Sequence, residues 1–135
     1  MVKTIIFSEQ KRSPGLTGKI NKLKIANIDV LPVRKDPEET TGLDILTVLK
    51  TLYKKYEITS VLLECGPTLL TSFLKKNLID KFIFFLAPKI IGGDSSFNMF
   101  GGLGIKKVRD CKILRFENIK KMGDDIMVTA YPLKD

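Results

Sequence analysis

The sequence predicts an α/β fold: a mixed, mostly parallel sheet with flanking helices, closed by a C-terminal antiparallel hairpin. Three observations predict it. Short β-branched, apolar runs alternate with stretches of helical periodicity. Gly66-Pro67 joins one such run directly to a helix start. Two late strand patterns flank Met122-Gly123-Asp124-Asp125, a segment with turn chemistry. Strands separated by crossover helices lie parallel, whereas a hairpin adds antiparallel strands, so both pairings are expected in one fold. A chain of 135 residues fits a single domain spanning 1–135.

Thr4 to Ser8 reads as a short buried strand, followed by polar residues and the breaker pair Pro14-Gly15. Residues 16–27 are basic and weakly patterned, a loop or a short helix. Ile28 to Val33 reads as a second strand, with Pro32 marking an edge or an end. Thr41 is the expected cap of the next helix, with Asp44 three residues on as the acidic half of a capping box. Leu43, Leu46, Leu49, Leu52 and Tyr53 supply its apolar stripe, and it should end near Tyr56. Ser60 to Leu63 reads as a buried strand running into Glu64, which makes residues 28–63 a βαβ unit. Pro67 opens another helix, with Leu69, Leu70, Phe73 and Leu74 inward and Asn77 suited to its C-terminal end. Lys81 to Ala87 is a strongly apolar strand stopped by Pro88, and the glycines from Gly92 to Gly104 bracket a loop. Lys112 to Asn118 and Ile126 to Tyr131 form the closing hairpin.

Composition excludes several chemistries. The chain has no histidine, so a Ser-His-Asp triad, a Cys-His pair and a His-ligated metal cannot be built from it. Cys65 and Cys111 are the only cysteines, too few for a disulfide framework or a zinc site; reduced, partly buried thiols are expected. No apolar run approaches the ~18 residues that a membrane-spanning helix needs, and the N-terminus carries no secretory pattern, so a cytoplasmic protein is expected. The net charge of +8 comes from scattered lysines without interleaved aromatics. Solvated surface lysine is the leading account, attraction of a polyanionic small ligand the second, and a nucleic-acid surface the third.

Chemistry concentrates at Glu64-Cys65-Gly66-Pro67-Thr68. Carboxyl ends of parallel strands face the crevice where ligands bind in open α/β sheets. Gly66 allows close backbone approach, and Pro67 has the fixed φ of a first helical residue. The amides of Thr68, Leu69 and Leu70 should then point outward at the positive end of the helix dipole, with hydroxyls from Thr68, Thr71 and Ser72 nearby. That is an anion-site pattern; a plain strand-to-helix turn is the alternative. Glu64 can accept hydrogen bonds from a ligand or pair with a lysine, and the residues leave both open.

Three ordered blocks carry a resemblance. They are Val61-Leu62-Leu63-Glu64-Cys65-Gly66-Pro67-Thr68-Leu69, Asn77-Leu78-Ile79-Asp80-Lys81, and Leu86-Ala87-Pro88-Lys89-Ile90-Ile91-Gly92-Gly93. Together with Phe116-Glu117-Asn118-Ile119 and Gly123-Asp124-Asp125-Ile126, they resemble the C-terminal reductase domain of the bifunctional riboflavin-biosynthesis deaminase/reductase, a family of the dihydrofolate-reductase-like fold. The resemblance implies NADPH-dependent reduction of 5-amino-6-(5-phosphoribosylamino)uracil to its ribitylamino product. It implies that Glu64 touches substrate and that Gly66, Pro67, Thr68, Leu69, Leu70, Thr71 and Ser72 line the cofactor. Ser8 is a weaker expectation for the adenosine end; Cys65 has no role, and no catalytic side chain or metal is assigned. The nicotinamide carries the hydride, so the protein's work is positioning.

Relative to that family, the chain is expected to be a partial reductase domain. It would lack the N-terminal strands that build much of the substrate and nicotinamide pocket, and the zinc deaminase domain as well. A homodimer is the expected assembly. Two other classes compete with the enzyme: a non-catalytic nucleotide-binding or assembly module of the same fold, and a basic nucleic-acid-binding domain.

Overall fold

A computed structural model describes residues 3–9, 16–26, 28–37, 42–93, 98–102 and 104–133. The chain divides into two compact units, Met1–Leu62 and Leu63–Asp135. The fold is mixed α/β, with a parallel pair of strands in the first unit and an antiparallel three-stranded sheet in the second.

In the first unit, β1 (Thr4–Glu9) and β2 (Ile28–Val33) pair in parallel, Thr4 opposite Ile28 through Glu9 opposite Val33. The connection is α1 (Leu16–Ile25), so the weakly patterned basic stretch forms the helix of a βαβ unit. Thus the βαβ unit stands one step earlier in the chain than the periodicity of residues 28–63 predicts. Residues 57–66 form no regular strand; Ser60, Val61 and Leu62 are exposed, Leu62 by 78%. The expected buried strand at Ser60 to Leu63 is therefore corrected. Its residues suit a central strand, but strand formation needs hydrogen-bonded neighbours, and none of the described strands pairs with it.

The second helix, α2 (Ile45–Tyr56), begins at a different cap from the one the sequence suggests. Thr41 lies outside the described residues, and Asp44 is itself the N-cap rather than the answering residue of a box. Its Oδ1 accepts from the Thr47 amide at 3.1 Å, while Oδ2 accepts from the Thr47 hydroxyl and from Arg34 Nε, both at 2.8 Å. The buried stripe shifts accordingly. Ile45 is buried, Leu49, Leu52 and Tyr56 are half-buried, and Leu46 and Tyr53 are exposed. That spacing of four, three and four follows the 3.6-residue turn more closely than a repeated step of three. At the far end, the Tyr56 hydroxyl donates to Asp29 Oδ2 on β2 at 2.6 Å, and Lys3 meets the same oxygen at 3.0 Å.

The second unit is built on α3 (Pro67–Lys75), β3 (Phe82–Leu86), β4 (Leu114–Met122) and β5 (Asp125–Pro132), in sheet order β3-β5-β4. Its centre is Leu74 of α3, Phe82 of β3 and Ala130 of β5, the last with no exposed surface. Leu70, Ile79, Phe84, Phe100 and Leu114 pack around them. Phe73 is buried as expected, but Leu69 is exposed; Thr71 and Ser72 take interior places instead. Asn77, with φ 54°, ends α3 in the left-handed conformation its short amide tolerates. Leu78 donates to the Phe73 carbonyl and Asn77 to that of Leu74, a Schellman closure.

The hairpin turns through Gly123 and Asp124, with Met122 opposite Asp125. Gly123 has φ +63° while Asp124 is not left-handed, the combination of a turn with glycine at its first central position. Among the described strands of this unit, the two outer strands of the sheet differ in kind. On β4, Arg115, Glu117, Lys120 and Lys121 are exposed, and the register slips between Phe116 and Asn118. On β3 the run Phe-Ile-Phe-Phe-Leu has no charge, no proline and no register slip, and Phe85 is 61% exposed.

Candidate functional site

The start of α3 is where the fold leaves backbone donors unused. Gly66 is the N-cap residue with φ −75° and ψ 171°, extended backbone that any residue can adopt, and no side chain caps the helix. Pro67 occupies the first helical position, where its missing N–H costs nothing. The Leu70 amide donates to the Gly66 carbonyl at 3.2 Å, so it is not one of the free donors the sequence suggests. Thr68 and Leu69 remain, with amides that no described residue accepts from. Two open amides at a positive helix end are donors of the kind that suits an anion.

The neighbouring side chains divide into two sets. Gly66, Thr68 and Leu69 are exposed and Pro67 half-buried, so the first turn faces outward. Thr71 and Ser72 are buried and Leu70 half-buried, and their polar groups are engaged within the protein. The Ser72 hydroxyl donates to the Thr68 carbonyl at 3.2 Å. Thr71 Oγ1 accepts from the Gly101 amide at 2.8 Å. This last contact brings a glycine-rich segment, thirty residues away in sequence, onto the helix start. A Cβ on Gly101 would lie 3.4 Å from Thr71 Oγ1 and 3.8 Å from the Pro67 carbonyl oxygen, whereas a Cβ on Gly66 or Gly102 would meet nothing within 4 Å. The segment is therefore pressed against α3 at Gly101 and open at Gly102.

Glu64 stands two residues before the cap, exposed, and pairs with none of the described lysines. Cys65 and Cys111 are both free and both exposed, not partly buried: each sits in a turn beside a helical segment rather than in the sheet. Desolvation within its turn pushes the Cys65 thiol above its ordinary range, against a smaller opposing hydrogen bond from Leu70. It is not an activated thiolate. Ser8 belongs to the first unit, in register with Pro32 on the β1–β2 ladder.

Sequence reasoning found the helix start and missed Gly101. The available signal was Phe100, an aromatic residue directly before a glycine pair; as a member of the core cluster it anchors the segment beside α3. Among the described residues, no helix is long and apolar enough to cross a membrane.

Comparison with known proteins gives a consistent result. Residues 2–128 match the model of the RibD C-terminal domain. The riboflavin biosynthesis protein RibD of Aquifex aeolicus is 34% identical over 125 residues, which cover 93% of this chain and 31% of that protein. The solved structure of Acinetobacter baumannii RibD, form 2, aligns with a TM-score of 0.72 at 26% identity, over 96% of this chain and 37% of that one. A Thermotoga maritima structure described as a diaminohydroxyphosphoribosylaminopyrimidine deaminase/5-amino-6-(5-phosphoribosylamino)uracil reductase shares the fold, with a TM-score of 0.63 at 20% identity, over 97% of this chain and 38% of that one. The chain thus spans about a third of the length of the relatives it matches. On the family match and the shared fold together, the chain belongs to the RibD C-terminal domain family.

Proposed function

We propose that this chain provides the cofactor corner of a riboflavin-pathway reductase, binding NADPH at the start of α3 for reduction of 5-amino-6-(5-phosphoribosylamino)uracil. The observation that carries the reading is the uncapped helix start, with the Thr68 and Leu69 amides open and free space at Gly66 before them. A phosphate of a dinucleotide suits such a site because it accepts from several amides at once and is favoured by the helix dipole. The net charge of +8 draws a polyanion toward the chain in addition.

In this reading Gly66, Pro67, Thr68 and Leu69 form the contact surface, and Leu70, Thr71 and Ser72 support it from behind. When bound, the nicotinamide supplies the hydride. The chain's own part is to hold the donor: the amides fix the phosphate end, and the glycines let the backbone approach. Glu64, exposed and close before the cap, accepts hydrogen bonds from the substrate and orients it. A role in proton transfer is not needed for that work. The protein acts in this reading as a cytoplasmic homodimer, with the remaining pocket supplied by strands outside this chain.

The test is hydride transfer. The chain joined to the missing strands should, with NADPH and the phosphoribosylamino substrate, consume reduced nicotinamide and yield the ribitylamino product, and Glu64→Gln in that protein should raise KM for the pyrimidine more than it lowers kcat; robust turnover by this chain alone would refute the need for those strands. Saturable NADPH binding without any product would favour a second reading, a nucleotide-binding module that assembles with a separate catalytic partner. The chain's span of about a third of its relatives' length is the observation on that side. Absence of NADPH binding would end both.

A further inference from the structure

We infer that the outer edge of β3 is a docking edge: it takes, through backbone hydrogen bonds, an extended, uncharged apolar strand from the part of the family's longer polypeptides that this chain does not match. The docking rests on the reading that strands outside this chain complete the pocket, and not on cofactor binding at α3. The sequence of β3 is that of an inner strand. Phe82-Ile83-Phe84-Phe85-Leu86 is apolar throughout, as strands buried on both faces are, whereas a strand with one open face alternates apolar and polar residues. Among the described strands, however, β3 has a neighbour on one side only, β5.

The side chains show the same mismatch. Phe82 is buried and stacks on Phe84 with ring centroids 5.4 Å apart, so one face of β3 is packed. Ile83 and Phe85, which alternate with them, are 48% and 61% exposed, and the exposed apolar run continues through Leu86 to Ile90 and Ile91. Nothing on β3 discourages pairing, whereas β4 across the sheet carries charges and a register slip. The first unit repeats the pattern: Ile58, Val61 and Leu62 have strand chemistry, are exposed, and belong to no described ladder. Each unit thus holds strand-forming sequence without a neighbour, which an absent strand explains and an absent small ligand does not. The chain spans about a third of its relatives' length, so proteins of this family carry further polypeptide from which such a strand comes. A second copy of this chain is the poorer occupant, since each copy brings a charge of +8 to the contact.

The test mixes the full chain with a complement, Aquifex aeolicus RibD from which the 125 matched residues have been deleted. Two quantities are read: co-elution on gel filtration, and hydrogen exchange at the β3 amides of the labelled chain by NMR. The expected result is a complex in which those β3 amides that exchange fast in the chain alone slow by about tenfold or more. Phe85→Lys and Ile83→Lys, both at exposed positions, should keep the urea midpoint of the chain and weaken the complex by about tenfold. Ile119→Lys, at an equally exposed place on β4, should leave it intact. A soluble complement that stays separate from the chain would overturn the docking edge, as would a complex in which the β3 amides exchange as fast as before. An equal loss from Ile119→Lys would also overturn it. Slowing of β3 exchange with rising concentration of the chain alone, matched by a larger elution mass, would assign the edge to a second copy and overturn the proposal too. None of these readouts involves NADPH, so failure of the docking edge and failure of the cofactor reading are separate results.

Discussion

Helices α2 and α3 begin in opposite ways. At α2, Asp44 accepts from the Thr47 amide and hydroxyl and from Arg34, so the positive helix end is neutralised by the protein's own carboxylate. At α3, glycine and proline stand where a capping side chain would be, and two amides are left open. The first arrangement spends the helix dipole on stability; the second keeps it available for a ligand. Within one chain, the choice of residue at a single position separates a capped helix end from an open one.

That contrast can be broken from either side. The largest effect is expected for Asp44→Ala, which removes the cap and leaves Arg34 without its partner: a loss of about 2 kcal/mol, read as a lower urea midpoint. A related effect follows from acid. The hydrogen bonds from Arg34 and from the side chain and backbone of Thr47 hold the Asp44 carboxyl at about 2, below its ordinary 3.8. A depressed carboxylate stabilises the fold above the ordinary value, and that contribution is lost as pH falls from about 4 through 2. The loss should be between roughly 1 and 2 kcal/mol, because Arg34 lies largely in water and its share is screened. Urea midpoints against pH for wild type and Asp44→Asn should converge in that window and separate above it.

Next in size is the converse change at α3. Gly66→Asp would install the missing cap, in extended backbone with free space for its Cβ. The expected outcome is a gain in stability of a few tenths of a kcal/mol and NADPH affinity weaker by about tenfold, since the new carboxylate takes the amides and repels phosphate. Unaltered NADPH affinity in a stabilised Gly66→Asp variant would show that the open end is not the cofactor contact. The smallest effect belongs to the far end of α2, where Glu57 holds φ 57°. Glu57→Gly relieves that strain but adds freedom to the unfolded chain, so a net gain of only a few tenths of a kcal/mol in thermal unfolding is expected.

The two helix starts also mark what could be read in advance. Gly66-Pro67 is a local signal, and the helix that follows it begins where the sequence says. Asn77 and Gly123 are equally local, since each marks a backbone turn that few residues accept, and both stand where expected. The cap of α2 was not legible in the same way. Thr41 and Asp44 are both good caps, and the choice is decided by Arg34, ten residues upstream and brought close only in the fold. The strand expected at Ser60 to Leu63 failed for a similar reason: its residues are right, but pairing is a property of neighbours. Gly101 was missed for a related cause at longer range: Phe100 marks the segment, but its partner is a hydroxyl thirty residues away.

The outer strand β3, unpaired on one side among the described strands, has a consequence for handling the chain in solution. Its five uncharged, strand-forming residues expose a template on which another extended chain can hydrogen-bond, while β4 carries charges and a register slip that discourage this. What opposes association at β3 is long-range repulsion between molecules that each carry +8. Such repulsion is screened within about 10 Å at 0.1 M salt, so colloidal stability should fall as ionic strength rises, well before folding itself is affected. Dilute, low-salt buffer is the condition in which this chain should stay dispersed, and light scattering against ionic strength checks it.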